Sequence, residues 1–155
     1  SGNRAEHLLA RWKTDALEIN PDIISVLIGV NDCWFFNDKE ALMPEEYFEY
    51  CYRSILDDIK KGTHAKILML EPFILEAPGL PQIHEDLARK KAIVYKLADE
   101  YADAFVKCQS IFDKASGDRE PTYWAEDGIH PTPEGAMLLA ENYVKAVVPL
   151  IEQLH

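Results

Sequence analysis

The apolar residues of this chain repeat at two spacings, and the two spacings alternate along the sequence. Four stretches carry an apolar residue every three or four positions, which is typical of amphipathic helices, and three short stretches are almost continuously apolar, which is typical of buried strands. The strands are predicted over residues 23–29, 66–70 and 104–108. The inward faces of the four predicted helices are formed, in chain order, by Ala5, Leu8, Leu9, Trp12 and Ala16, by Phe48, Cys51, Ile55 and Ile59, by Leu87, Val94, Leu97 and Tyr101, and by Ala136, Ala140, Tyr143, Val147 and Ile151.

Proline, glycine and N-cap residues mark the ends of these elements. Pro44 opens the second helix and Gly62 closes it, while Thr132 and Pro133 provide the N-cap and first residue of the last helix. Residues 113–131 have no regular spacing and are predicted to be irregular. The alternation of helices and strands predicts an α/β fold with a parallel sheet and helices on both faces. No repeat or linker divides the chain, so residues 1–155 are predicted to form one domain.

Charge and cysteine content exclude several kinds of partner. The formal net charge of −11 at pH 7 argues against nucleic acid or an anionic membrane surface. The apolar runs are much shorter than the roughly 20 residues of a transmembrane helix, so no membrane partner is predicted. The three cysteines are odd in number and have no CxxC spacing, which favours a reducing compartment and predicts a cytoplasmic location.

Two short segments carry the residue types of a hydrolytic site. Asp127 precedes His130 by three residues on a loop rich in Gly and Pro. Its carboxylate can hold one imidazole nitrogen while the other nitrogen takes a proton from a nucleophile. Gly29 and Asn31 follow the first predicted strand, where a side-chain amide can hold an oxyanion at the carboxyl edge of the sheet.

The residues alone leave other interpretations open. Ser1 or Cys33 could be a nucleophile, and Asp32 with Asp127 and His130 could form a phosphatase-like metal site. The metal site lacks a neighbouring pair of carboxylates, so no metal is predicted. Asp127 and His130 could also form a simple loop salt bridge, and the residues after the first strand could serve only as a turn.

Taken together, these segments resemble the SGNH (GDSL) hydrolase family. Three of its four sequence blocks are matched in order and spacing by Ser1-Gly2-Asn3-Arg4, by Ile28-Gly29-Val30-Asn31-Asp32 and by the stretch from Trp124 to Gly135. The strings from Gly29 to Trp34 and from Tyr123 to Pro131 are most similar to its acetylxylan-esterase-like branch of carbohydrate esterases. The resemblance implies a three-layer α/β/α sandwich of the flavodoxin-like SGNH hydrolase type.

The resemblance also implies a role for each matching residue. His130 would be the general base and then the general acid, and Asp127 would fix its tautomer. Gly2 through its backbone N–H, and Asn31 through its side chain, would form the oxyanion hole. The family mechanism needs neither a metal nor an organic cofactor.

The match lacks the nucleophile of the family. That residue is a Ser in a Gly-Asp-Ser block at the end of the first strand, and here Gly117 and Asp118 are followed by Arg119. We expect the family's first strand–helix–strand unit to be absent, which would leave the strand at residues 23–29 at a bare edge. A missing N-terminal segment, or a second copy in a homo-oligomer, is expected to complete the sheet. The 155 residues alone are expected to be inactive.

The predicted function is a serine ester hydrolase that releases short acyl groups, preferably acetyl from a carbohydrate. Its partner would be a small-molecule or carbohydrate ester, and Trp34 and Trp124 are candidate substrate-binding residues because they adjoin the matched blocks. One alternative is a lysophospholipase or short-chain esterase of the same family. The other is a non-catalytic carbohydrate-binding or scaffold fragment.

Overall fold

Three parallel strands form the central sheet of the computed structural model, which describes residues 2–33, 43–77 and 81–154. In chain order they are β1 (Ile23–Val26), β2 (Lys66–Leu70) and β3 (Ala104–Val106), and they lie side by side in that order. Ile24 of β1 pairs with Ile67, and Leu68 of β2 pairs with Ala104. The predicted parallel sheet is confirmed, with β1 and β3 shorter than the sequence pattern indicated.

Helices link the strands and follow the last one. In chain order they are α1 (Ala5–Asp15), α2 (Glu45–Gly62), α3 (Pro81–Tyr101), α4 (Cys108–Ala115), α5 (Pro121–Trp124) and α6 (Pro133–Glu152). Short 3₁₀ turns lie at Leu17–Ile19 and Val30–Asp32. The four predicted helices are confirmed, whereas α4 and α5 were not predicted. α4 buries only Cys108 and Phe112, one turn apart, and this repeat is too short to identify a helix from spacing.

The two faces of β2 contact two different cores. Ile67 and Met69 pack with buried residues of α1, α2 and α3, and Leu68 and Leu70 pack with residues of β3, α4 and α6. Alternate residues of a strand point to opposite faces, so helices cover both sides of the sheet. The predicted three-layer α/β/α arrangement is therefore confirmed.

β1 differs from the prediction that it is buried on both faces. Ile24 and Val26 are buried in the core with α1 and α2, but Ser25 is exposed and Leu27, just after the strand, is 45% exposed. The reason is that α6 packs mainly against β3 and β2. α6 reaches β1 through the 2.8 Å hydrogen bond between the hydroxyls of Ser25 and Tyr143. In the described part of the chain, β1 is an edge strand.

α6 turns inward only part of the predicted face, at Tyr143 and Val147. Leu150 is buried, whereas Ala136 and Ala140 are exposed and Ile151 is 43% exposed. The residues partly buried against the same core are Leu138, Leu139, Tyr143, Ala146 and Val147. Because α6 is apolar around most of its circumference, the spacing could not identify the buried face. Even so, no helix among the described residues is long and apolar enough to cross a membrane.

Candidate active site

Asp127 and His130 form a hydrogen-bonded pair on the loop before α6. Oδ2 of Asp127 lies 2.7 Å from Nδ1 of His130, and Oδ1 accepts the backbone N–H groups of Ile129 and His130 at 2.9 and 2.8 Å. Partial burial raises the pKa of Asp127, but the hydrogen bonds from His130 and the backbone outweigh it and lower the pKa to about 2. Asp127 is therefore ionised at neutral pH. It holds Nδ1, and Nε2 of His130 has no hydrogen-bond partner among the described residues.

The loop between α5 and α6 owes its shape to Gly128, Thr132 and Gly135. Gly128 has a φ of +81°, a conformation that favours Gly. Thr132 caps α6 by accepting the Gly135 N–H at 3.1 Å, and its own N–H donates to the carbonyl of Trp124 at 2.9 Å. A Cβ at Gly135 would lie 2.0 Å from that carbonyl oxygen. The backbone on the α6 side of His130 is thus tightly packed against α5, although the His130 side chain is 73% exposed.

Asn31 is held in a position that leaves one N–H group available. It lies in the 3₁₀ turn that follows β1, and its Nδ2 donates to the carbonyl of Asn3 at 3.0 Å. A primary amide carries two N–H groups, so the second can donate to an oxyanion. Gly29, just before the turn, has a φ of +135°, and a Cβ there would lie 3.1 Å from Cγ of Pro72. The turn that presents Asn31 therefore requires Gly at this position.

One cavity brings together three of the predicted site residues. It has a volume of about 300 Å³, and Gly2, Asn31 and His130 all line it. The remaining lining is mostly apolar and comes from the loops after β1 and β2, from the His130 loop and from α6, at Leu27, Ile28, Gly29, Val30, Pro72, Phe73, Ile129, Pro131 and Leu139. The donors and the base therefore meet beyond the carboxyl ends of two strands, as expected for an open α/β sheet.

Of the two predicted substrate-binding tryptophans, the structure describes only Trp124, and Trp124 does not line this cavity. Trp124 lines a separate cavity of about 430 Å³ with Tyr123, Pro133, Met137 and other residues of α6. Trp34 lies outside the described residues. A third cavity, of about 520 Å³, is lined partly by His84, Lys91 and Gln109, and none of the predicted site residues lies in it. Sequence spacing gave no signal for this third cavity, because its walls come from α3, α4 and the loop after β2.

The alternative nucleophile and metal assignments receive no support from the geometry. Cys33 is 3% exposed and does not line the cavity with His130. Burial raises the pKa of its thiol, which disfavours the thiolate that a nucleophile requires. Asp32 is fully buried and accepts the backbone N–H of Ala5 at 3.0 Å. Within the described ranges no three His, Cys, Asp or Glu side chains form a group that could hold a metal ion. Ser1 lies outside those ranges.

Comparison with known proteins identifies similar sequences along almost the whole chain. Residues 1–138 match the GDSL-like lipase/acylhydrolase family. The chain is 29% identical over 153 residues to an acetylxylan esterase from Geobacillus stearothermophilus, and the match covers 95% of this chain and 68% of that protein.

Solved structures give the same result. A crystal structure described as a GDSL-like lipase from Parabacteroides merdae has a TM-score of 0.86 at 32% identity, covering 94% of this chain and 68% of the other. The crystal structure of Axe2, the acetylxylan esterase from G. stearothermophilus, has a TM-score of 0.81 at 29% identity with the same coverage. Catalytic mutants of Axe2 in which a Ser, a His or an Asp is replaced by Ala are also similar.

Proposed function

This chain belongs to the GDSL-like lipase/acylhydrolase family and is an SGNH-type esterase similar to acetylxylan esterases, and we propose that its substrate is a short acyl ester of a carbohydrate. The observation that carries the proposal is the 2.7 Å contact between Asp127 and His130 beside the cavity that also contains Gly2 and Asn31. A base, its orienting carboxylate and two oxyanion donors are the parts that acyl transfer requires besides the nucleophile.

In the proposed mechanism, Nε2 of His130 takes the proton of a serine hydroxyl as that oxygen attacks the ester carbonyl. The carbonyl oxygen becomes an oxyanion, which accepts hydrogen bonds from the Gly2 backbone N–H and from the second N–H of Asn31. The intermediate collapses, the bond to the alcohol breaks, and His130 donates its proton to the leaving alkoxide. Water then attacks the acyl-enzyme in the same way, releasing the acid and restoring the serine.

The catalytic mutants of Axe2 support these roles. The Asp and the His whose replacement gives a catalytic mutant are three positions apart in that enzyme, as Asp127 and His130 are here. The third catalytic mutant lacks a Ser, which is the nucleophile type that a His–Asp pair activates. The acetylxylan esterase relative is also the basis for an acetylated carbohydrate as substrate.

The serine in this proposal comes from a segment that pairs with the outer edge of β1. Among the described residues no Ser lines the cavity that contains His130, and Leu27 at the outer edge of β1 is 45% exposed. α6 exposes apolar side chains as well, namely Met137, Val144, Val148 and Ile151. The segment lies outside these 155 residues, either in the same polypeptide or in the same region of a second copy. Without it, the 155 residues would lack activity.

Assays of the natural protein on four esters test this function. The esters are p-nitrophenyl acetate, p-nitrophenyl octanoate, an acetylated xylo-oligosaccharide and lysophosphatidylcholine. We expect the highest kcat/KM on the acetylated oligosaccharide and low kcat/KM on the octanoate ester and the lysophospholipid. The Asp127→Asn variant serves as the inactive control. Preference for the lysophospholipid or octanoate would replace the carbohydrate substrate with a lipid-like one. Binding of the oligosaccharide without any hydrolysis would instead support a carbohydrate-binding or scaffold protein.

A further inference from the structure

Asp32 is a buried carboxylate that the proposed mechanism does not use. Its side chain is fully buried, and Oδ1 accepts the backbone N–H of Ala5, 27 residues away in sequence, at 3.0 Å. Ala5 is the first residue of α1, and the N–H groups of a first helical turn have no partner inside the helix. Asp32 therefore caps α1 from the turn after β1, and its negative charge lies at the positive end of the helix.

This contact joins the two segments that carry the proposed oxyanion donors. Asn31 directly precedes Asp32, and its Nδ2 donates to the carbonyl of Asn3, while Gly2 directly precedes Asn3. The segment at residues 2–5 and the turn at Val30–Asp32 are thus joined by two hydrogen bonds running in opposite directions. One of them uses the catalytic amide itself, and the other uses the Asp32 carboxylate.

We propose that Asp32 is a positioning residue that keeps the Gly2 N–H and the Asn31 side chain directed at the same oxyanion by fastening α1 to the turn after β1. This proposal rests on the proposed roles of Gly2 and Asn31. Oxyanion stabilisation depends on donors that are already in place before the reaction, so loosening either segment lowers kcat. Substrate binding in the ground state depends much less on these donors, so KM should change little.

The surroundings of Asp32 suit a rigid support. Burial raises the pKa of Asp32 to about 6, and the Ala5 N–H and the positive charges of Arg4 and Lys90 act against that rise. Lys90 lies on α3, is fully buried, and pairs with Asp86 at 2.5 Å. Glu6 on α1 opposes ionisation of Asp32, and burial, followed by the charge of Asp32, raises the pKa of the Tyr52 hydroxyl on α2. The carboxylate is therefore buried at the start of α1, and its charge acts on groups of the neighbouring helices.

Steady-state kinetics of four variants of the natural protein test this role. The variants are Asp32→Ala, Asp32→Asn, Asn31→Ala and the double variant Asp32→Ala/Asn31→Ala. We expect Asn31→Ala to lower kcat by about 10²–10³-fold, as loss of one oxyanion donor does in other hydrolases. Asp32→Ala should lower kcat by at least about tenfold and by no more than Asn31→Ala. Asp32→Asn keeps an oxygen acceptor for the Ala5 N–H and should recover part of that loss. It is also the variant to assay if Asp32→Ala does not fold.

The double variant distinguishes positioning from general stability. If Asp32 acts through the oxyanion donors, the double variant loses little more activity than Asn31→Ala alone; fully multiplied losses would overturn the proposal. The matched control is Glu71→Gln. Glu71 is another buried carboxylate, 2% exposed, which accepts the Gln109 N–H at 3.0 Å and touches neither donor segment. Glu71→Gln should lower the melting temperature and leave kcat close to that of the unmodified protein.

The possible outcomes separate this proposal from the proposed function. A crippled Asn31→Ala beside a fully active Asp32→Ala would overturn the role of Asp32 alone. Near-normal turnover of Asn31→Ala would remove Asn31 from the oxyanion hole and overturn both. A rise in KM with unchanged kcat for Asp32→Ala would also overturn the positioning role of Asp32, because that pattern indicates lost ground-state binding.

Discussion

The two halves of the candidate site differ in how they are held. In the oxyanion half, Asp32 is fully buried, and hydrogen bonds between distant segments fix Asn31. In the acid–base half, the Asp127 and His130 side chains are 49% and 73% exposed, and the hydrogen bonds that orient them come from their own short loop.

This difference separates two physical requirements of one reaction. Donors to an oxyanion act best when they are already in place before the reaction, and the two hydrogen bonds between residues 2–5 and the turn after β1 provide that. A general base needs only a fixed tautomer and access to the reacting proton, and a single carboxylate on the same loop provides it. Substitutions in the two halves should therefore affect activity and stability in different proportions.

The largest effect is expected in the exposed half. His130→Ala should lower kcat by about 10⁴-fold or more, because nothing else takes the serine proton, and Asp127→Asn should cost about 10⁴-fold because the wrong tautomer is favoured. Since His130 is mostly exposed, His130→Ala should change the free energy of unfolding by about 0.5 kcal/mol or less. Kinetics with p-nitrophenyl acetate and urea unfolding measure both quantities. Asp127→Asn activity within tenfold of the unmodified protein would contradict this division of roles.

An intermediate effect is expected where the exposed loop meets the packed structure. Gly135→Ala places a Cβ 2.0 Å from the Trp124 carbonyl oxygen, and both are backbone positions that cannot rotate away. The start of α6 must then shift, moving His130, and a displacement of about 1 Å costs about 10²-fold in kcat. Overpacking should also destabilise the protein by about 1–3 kcal/mol.

The matched control for this substitution is Gly62→Ala. Among the described residues, a Cβ at Gly62 would meet only Cδ1 of Leu17, at 4.0 Å. Gly62→Ala should therefore leave both kcat and the melting temperature nearly unchanged. Equal behaviour of the two variants would contradict a tight fit between α5 and α6.

The smallest effect concerns stability as a function of pH in the buried half. The pKa of Asp32 is about 6 in the folded protein and close to 3.8 in the unfolded chain, so the folded state binds the proton more tightly. The contribution of Asp32 to the free energy of unfolding is complete below about pH 4 and is lost as the pH rises through about 6. The free energy of unfolding therefore falls by about 3 kcal/mol over this range. The Asp32→Asn variant should not show this pH-dependent decrease when its free energy of unfolding is measured by denaturant titration at pH 4, 5, 6 and 7.

Asp127 provides the internal contrast for that measurement. Its pKa is lowered to about 2, so its contribution is present above about pH 4 and is lost as pH falls toward 2. The two aspartates of one site thus change stability in opposite directions. An Asp32→Asn variant with the same pH dependence as the unmodified protein between pH 4 and 6 would contradict the burial of a charged Asp32.

The sequence predicted the sheet and the family motifs better than it predicted the surface. β2 was located at residues 66–70 because a fully buried strand is continuously apolar, and the pairing of Asp127 with His130 followed from their spacing. The buried face of α6 was identified only at Tyr143 and Val147, because Met137, Val144 and Val148 are as apolar as the residues that pack inward. Which side of such a helix is covered depends on neighbours distant in sequence.

Contacts between distant segments were also beyond sequence reasoning. The hydrogen-bond partner of Asp32 is Ala5, which is 27 residues away and offers only a backbone N–H. Backbone donors leave no trace in residue types, so no pattern indicated this contact. Trp124 ends α5 next to the catalytic loop in sequence yet lines a different cavity from His130, because the chain folds back between them, with Ala125 bridged to Pro131.

Labelling of the natural protein with a serine-reactive phosphonate, followed by peptide mass mapping, tests the central claim most directly. We predict one adduct, on a Ser in a Gly-Asp-Ser peptide outside these 155 residues, and its loss in His130→Ala. An adduct on Cys33, on a Ser within the chain, or on no residue of the folded protein would contradict the proposal that His130 and Asp127 activate such a serine.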